Sequence, residues 1–335
     1  MSATINSENK HFPVLLKELI SIISPLYGGT FIDCTFGEGG YSKEILKNSL
    51  NKIIAFDRDK DVLKYANKLK KKFGSRFIFK NQKFKDISHI DTINRDIKAI
   101  IFDLGFSTNQ IKDLSRGFSF KSNSKLNMKM GLNKFSANEV INNMSYEDLS
   151  KIIKFFGDEK KSKLISKLII KNRKYRKLNT QDLVSVIEKV KKNKKNFKIN
   201  SSTKTFQAIR IFVNQEINEL IYGLINAFKI LPIGGMIIVV TFHSIEDKIV
   251  KFFLKHYSEN NNLSRYIPNQ KEKKKIIKLI KKKPIIADVD ELNTNPPSRS
   301  AKLRYGIKIN DSNDFKDFIK KFQFLLDIEG LADKL

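Results

Sequence analysis

Apolar runs that stop at a carboxylate recur in the first third of the chain. Phe31 and Ile32 lead to Asp33, Ile53 to Phe56 lead to Asp57, and Ala99 to Phe102 lead to Asp103. Uninterrupted runs of this length predict strands buried on both faces, the signature of a parallel sheet. Gly37, Gly39 and Gly40 follow the first run, a helical stretch over Tyr41–Leu50 comes next, and Asp57 stands twenty positions after Gly37. Strand, glycine turn, helix and a second strand with a terminal carboxylate predict the opening unit of a nucleotide-binding α/β sheet. A helix over Asp59–Lys72 places Val62, Leu63, Ala66 and Leu69 on one face. Phe77–Lys80 is the third strand, with Phe84 in the loop after it. In a parallel sheet Asp33, Asp57, Phe84 and Asp103 then share the carboxyl edge, where open α/β sheets bind ligands.

The alternation breaks after Asp103. Residues 105–135 have no sustained period and are rich in Ser, Asn, Gly and Phe, so they read as a long functional loop. From Ser136 to about Lys191 the pattern turns helical, with a capping box expected at Ser145 and Asp148, a helix closing at Gly157 and another starting at Thr180. Phe206–Leu231 reads as one long helix, buried through Phe206, Ile209, Val213, Ile217, Leu220, Leu224 and Phe228. Gln207, Arg210 and Asn214 share another of its faces. Met236–Thr241 is a buried strand that runs into a polar cluster, Phe242 to Asp247, opening a helix. Pro284–Ala287 and Leu303–Ile309 are expected as the last of seven strands, after a Lys-rich loop over 268–283. At the other end a helix follows Pro13 and stops before Gly28 and Gly29. Helices between two strand-bearing halves suggest a core of residues 1–112 and 206–335 with an inserted helical subdomain, 113–205.

Composition narrows the function. The 335 residues hold 64 basic against 35 acidic side chains, a formal net charge of +29. Such an excess favours polyanions through counterion release. Only ten of the basic residues are Arg in a chain also rich in Ile and Asn, which an A- and T-biased genome also produces. Arg58, Arg116, Arg210, Arg299 and Arg304 nevertheless fall inside motif-like stretches, where a planar fork does what Lys cannot. A single cysteine, Cys34, excludes an internal disulfide and a thiolate zinc site, and His11, His89, His243 and His256 show no metal-ligand spacing. No metal is expected. With no apolar stretch at its start and none long enough to span a bilayer, the chain reads as a reduced, soluble, cytosolic protein.

The glycine turn fits one nucleotide better than another. A dinucleotide fingerprint asks for Gly or Ala where Ser42 stands, and Asp33 and Glu38 disfavour a pyrophosphate. S-adenosyl-L-methionine carries ribose, adenine, a sulfonium and an ammonium but no phosphate, and suits an acidic turn. The alternative is a tight turn that binds nothing.

Eight stretches together resemble one family closely. HFPVLLKE (11–18), FIDCTFGEGGYS (31–42), AFDRD (55–59), FDLGFS (102–107), RGFSF (116–120), TFQAIRIFVNQE (205–216), TFHSIED (241–247) and NPPSRSAKLR (295–304) follow, in order, the pattern of the bacterial 16S rRNA cytosine-N4 methyltransferases. The resemblance implies a class I S-adenosyl-L-methionine-dependent methyltransferase, a Rossmann-like seven-stranded sheet with a helical subdomain inserted after strand four. It further implies N4-methylation of a cytosine in 16S rRNA, within the small ribosomal subunit, with S-adenosyl-L-homocysteine as the second product. Cofactor contacts carried over by position are Gly39, Gly40, Tyr41, Asp57, Phe84, Asp103 and Gln110. Tyr41 stands where the family commonly has His, and Leu126-Asn127-Met128-Lys129-Met130 replaces an Asp and an Arg of the family pattern.

On this reading Asp103 is the candidate catalytic residue, an acceptor that localises the N4 lone pair, and His243 is a candidate for the released proton. His243 otherwise reads as a helix-capping residue bonded to backbone. Arg116, Gln207, Arg210, Asn214 and Arg299 are expected to face the RNA, and Phe106, Phe118 or Phe120 to stack on a base drawn out of its helix. Two alternatives stand beside this one. A ribosome-assembly factor that binds RNA without catalysis would lack a working cofactor pocket. A DNA amino methyltransferase would be expected to carry Pro-Pro after strand four, where Leu104-Gly105 stand here.

Overall fold

In the computed structural model, residues 13–26, 28–89, 96–122, 124–191, 200–258 and 274–335 are described. His11, the first two residues of the 11–18 stretch and part of the 268–283 run lie outside them. Seven strands form one sheet: β1 Gly29–Asp33, β2 Asn51–Asp57, β3 Phe77–Asn81, β4 Ile97–Asp103, β5 Met236–Thr241, β6 Ile277–Leu279 and β7 Lys302–Lys308. Their order is β3-β2-β1-β4-β5-β7-β6. The first five pair in parallel, and β7 runs antiparallel to both β5 and β6. This is the Rossmann-like sheet of class I methyltransferases.

Strand alternation divides the core in two. Phe31, Ile53, Ala55, Ala99, Ile101, Ile238 and Val240 face one layer, with Leu19, Leu46 and Leu69 from the helices Leu16–Ile23 and Leu63–Phe73 and the turn after Gly40–Ile45. Ile32, Ile54, Phe56, Ile100, Phe102, Ile237 and Val239 face the other, and the helices between β4 and β5 share that core through Val140, Ile152, Phe156, Ile169, Leu183 and Ile209. Burial on both faces is why the strands lack polar alternation.

Several boundaries differ from expectation. The long helix after 206 is two, Thr203–Asn214 and Glu216–Ile230, broken at Gln215, whose φ of 49° and ψ of 45° are left-handed. Arg58 Nη1 donates to the Asn214 carbonyl at 2.8 Å, giving the break an outside partner. One left-handed residue leaves Val213 and Ile217 both buried, so apolar spacing alone did not reveal it. The sixth strand lies in the Lys-rich stretch at Ile277–Leu279, because Ile276 and Ile277 are buried. Pro284–Ala287 makes only a bridge, Ile285 to Leu303, further along the same edge of β7. The first helix begins at Leu16 and not directly after Pro13, since Leu15 is left-handed (φ 53°). Ser145 Oγ accepts the Asp148 N–H, but the Asp148 carboxylate goes to Lys334; complete boxes sit at Ser136/Glu139 and His243/Glu246.

Candidate active site

β1 has β2 on one side and β4 on the other, so the chain leaves its carboxyl end at the point where strand order reverses. A crevice forms there in open α/β sheets. The glycine turn borders it. Gly37 (φ 54°) donates its N–H to Asp57 Oδ2 at 2.8 Å, and Gly39 (φ 77°) packs where a Cβ would fall 2.6 Å from the Phe36 ring. At Gly40 a Cβ would fall 2.1 Å from Pro13 Cγ, so this glycine is required by the N-terminal segment crossing behind it. Tyr41 turns the same way: its buried hydroxyl donates to the Val14 carbonyl, which leaves only its backbone on the turn.

Three carboxylates stand on the sheet edge. Asp33 accepts from Ser42 Oγ (2.7 Å) and the Thr35 N–H (3.2 Å); Asp57 accepts from the N–H groups of Gly37 and Asp59, each at 2.8 Å. Burial pushes Asp33 up to about 6 and Asp57 up to about 7. Burial, then the neighbouring Asp33 and Glu246, hold Asp103 well above the usual carboxylate range. The Asp103 N–H donates to Thr35 Oγ1 at 2.6 Å, tying the end of β4 to the loop after β1. Its Oδ1 is buried and has no hydrogen-bond partner among the described residues. A basic protein thus gathers three carboxyls at the carboxyl edge of its sheet, a set that suits the sulfonium and ammonium of S-adenosyl-L-methionine better than a pyrophosphate. Asp57 would take the ribose and Phe84 the adenine. The Phe84 ring packs edge-on to Phe102 at 5.3 Å, and its N–H donates to Glu219 Oε1.

The remaining nominated residues divide into those near the crevice and those used inside the fold. Gln110 is buried and bonds Asp59 through Nε2 at 2.7 Å while its Oε1 accepts the Ser107 N–H. Arg116 Nη1 bonds Asp59 at 2.6 Å and Asp61 at 3.0 Å, and Nη2 donates to the Lys129 carbonyl. Asn214 is fully buried: it donates to the carbonyls of Met128 and Arg210 and accepts from Met130 N–H and Asn133 Nδ2. Arg116 and Asn214 therefore anchor the 127–133 segment, Asn214 from within the core and Arg116 from a half-buried position. In that segment Asn127 Oδ1 accepts the Lys129 N–H at 3.3 Å. Gln207 donates to the Phe156 carbonyl, and Arg299 is exposed on the turn Pro296–Ser300.

Arg210 is buried between Phe106 and Glu216. Its guanidinium lies 4.6 Å from the Phe106 ring centre, and Nη2 bonds Glu216 Oε2 at 2.9 Å. Phe106 is 42% exposed and nearly parallel to Phe118, 6.1 Å away, whereas Phe120 packs edge-on against Phe206 in the core. His243 caps the helix Ser244–His256. Its Nδ1 accepts the Glu246 N–H at 3.4 Å, while Glu246 Oε2 accepts the N–H groups of Phe242 and His243. Burial pushes Glu246 up, but His243, Arg210 and the Phe242 N–H outweigh it and hold this carboxyl low.

Glu216 went unnominated in the sequence. It joins His243 and Glu246 so that one ligand atom of each lies within 4.8 Å of the others, the grouping among the described residues that could hold a metal. With Nδ1 accepting, however, the neutral ring carries its hydrogen on Nε2, and Arg210 sits on Glu216. That donor set fits a hydrogen-bonded charge cluster better than a metal. Glu216 lies just past the break at Gln215, and apolar periodicity carried no sign of it.

No helix among the described residues is long and apolar enough to cross a membrane. The chain is 40% identical over 316 residues to the ribosomal RNA small subunit methyltransferase H of Orientia tsutsugamushi (strain Ikeda), covering 90% of this chain and 99% of that one. It is 38% identical to the protein of the same name from Bartonella bacilliformis over 90% of this chain and 91% of that one. An rRNA methylase of known structure from Streptococcus thermophilus covers 90% of this chain and 99% of its own, at a TM-score of 0.37 and 10% identity, too distant to add to what the sheet itself shows. The family model described as the MraW methylase family matches residues 8–309. With that match over most of its length and these relatives, the chain belongs to the MraW methylase family of S-adenosyl-L-methionine-dependent enzymes.

Proposed function

We propose that this protein transfers a methyl group from S-adenosyl-L-methionine to the exocyclic N4 of a cytosine in 16S rRNA, releasing S-adenosyl-L-homocysteine and a proton. The bound cofactor supplies an electrophilic methyl on a cationic sulfur. As the N4–C bond forms, the C–S bond breaks with its electron pair left on sulfur, and one N4 proton then departs. The cytosine amine is a poor nucleophile because its lone pair is spread into the ring. An acceptor on its N–H localises that pair, and correct placement supplies much of the remaining rate.

Asp103 Oδ1 carries this reading. A buried carboxylate oxygen without a partner, on a sheet edge with two further raised carboxyls, suits a cationic cofactor or an amine donor. Substrate would arrive over the helices of 113–205, where Lys151, Lys154, Lys160, Lys163, Lys167 and Lys171 are exposed. A basic face around an acidic sheet edge attracts RNA to the rim and the cofactor to the centre.

The test is methylation of small-subunit RNA, free and assembled, with purified protein and isotopically labelled cofactor, followed by mass spectrometry of the nucleosides. N4-methylcytidine at one position is the expected product. Cofactor binding with no transfer to any cytosine would point instead to an RNA-binding assembly factor.

A further inference from the structure

Several buried side-chain atoms have no hydrogen-bond partner among the described residues, and three of them fall in one charge cluster: Glu216 Oε1, His243 Nε2 and Arg210 Nε. The side chains of His243 and Glu216 are 9% and 12% exposed. Each is oriented by its other polar atoms. Arg210 holds Glu216 Oε2 at 2.9 Å, which leaves Oε1 as the free acceptor. The Glu246 N–H meets His243 Nδ1, which leaves Nε2–H as the free donor. Nε2 also lies 3.0 Å from Glu246 Oε1, the contact through which His243 helps hold that carboxyl low, so Glu246 faces the same donor that a base would take up. Phe106, 42% exposed, stands over the Arg210 guanidinium three residues after Asp103.

One ligand atom of Glu216 lies within 4.8 Å of one of His243, and the exposed Phe106 ring packs on the Arg210 that holds Glu216; a free donor grouped with a free acceptor in this way matches one kind of base edge. Cytosine presents N4–H as donor and N3 as acceptor. Uracil presents O4 and N3–H, the same atoms with the sense reversed. We propose that Glu216 Oε1 and His243 Nε2 read this amidine edge of the target base, with Phe106 stacking on its face. Glu216 accepts one N4–H, His243 donates to N3, and Arg210 is the positioning residue that fixes Glu216. A uracil in the same place sets O4 against the carboxylate and N3–H against the imidazole N–H. The pair selects cytosine before chemistry begins. The inference rests on the proposed methylation of a cytosine and adds which residues recognise it.

The experiment uses the full-length protein, a stem-loop of small-subunit RNA containing the methylated cytosine, and the same RNA with uridine there. Binding is measured with S-adenosyl-L-homocysteine present. Wild type should prefer the cytosine RNA by on the order of tenfold or more, the discrimination of one well-placed bidentate contact. Glu216→Gln should bring the two RNAs close to parity and leave affinity for S-adenosyl-L-homocysteine unchanged. His243→Asn, which keeps a good helix-capping side chain, should do the same. Full discrimination in either folded variant, or a loss confined to cofactor affinity, overturns the proposal. Absence of cytosine methylation by wild type is scored separately with labelled cofactor; it removes the reaction and the pair's role together.

Discussion

Arg58 Nη1 lies 2.6 Å from Glu219 Oε2, and the other oxygen of Glu219 accepts the Phe84 N–H at 3.2 Å. Arg58 also donates to the carbonyls of Gly131 and Asn214. One guanidinium therefore joins the end of β2, the 127–133 segment, the break between two helices and the proposed adenine-side Phe84. The ion-pair side chains are 10% and 4% exposed, so either charge left alone would be stranded in the interior. Arg58→Met should destabilise the protein by roughly 3–5 kcal/mol and weaken cofactor binding, whereas adding Glu219→Leu should recover much of the stability. Denaturant unfolding of both variants, with cofactor titration, tests this; a stable Arg58→Met single mutant would contradict it.

Asp103 should show a trade between stability and activity. Its buried carboxyl gains no hydrogen bond at Oδ1, so Asp103→Asn removes an ionisable group that the fold does not satisfy. Turnover should fall by about a hundredfold or more if Asp103 is the acceptor on the reacting amine. Melting temperature without cofactor should stay level or rise. Full turnover in the variant would take Asp103 out of the reaction.

Acidity should act in opposite directions on stability and on cofactor affinity. Burial raises Asp33 to about 6, Asp57 to about 7 and Glu329 to about 8, from ordinary values of 3.8, 3.8 and 4.5. The folded chain then holds protons that the unfolded chain has already lost. Stability from these groups is complete below the unfolded values and drains away as pH rises through about 8. Cofactor affinity should instead increase as pH passes about 7, because ionised Asp57 is the better acceptor for ribose hydroxyls. Asp57→Asn should flatten that increase. Calorimetric titrations and unfolding curves across this range would expose a wrong sign in either.

Gly223→Ala separates packing from function. A Cβ at Gly223 would lie 2.6 Å from the Phe84 ring. Alanine gains about 1 kcal/mol of helix propensity over glycine, which offsets part of the clash. Stability should change little while cofactor affinity drops several-fold, as Phe84 is pushed from its place against Phe102. Unaltered affinity, read by calorimetry, would mean that Phe84 does not line the cofactor pocket.

The central sheet could be read directly from the chain, because burial on both faces writes each parallel strand as an unbroken apolar run. The carboxylates at the ends of those runs, and the glycines between the first two, marked the carboxyl edge from local sequence, although the structure shows that Gly40 is there to let Pro13 pass. Tertiary structure alone decided which polar residues keep an atom unpartnered and which are consumed inside the fold. Asn214 and Arg116 sit in motifs as prominent as that of Arg210, yet their hydrogen bonds are consumed by the 127–133 segment and by Asp59. Glu216 joins His243 and Glu246 just past the point where a left-handed Gln215, with Arg58 on the preceding carbonyl, divides a continuous apolar stripe. Hydrophobic spacing reports which side of an element is buried; it says nothing about which distant backbone group will claim a polar side chain, and at this sheet edge those long-range partners set the chemistry.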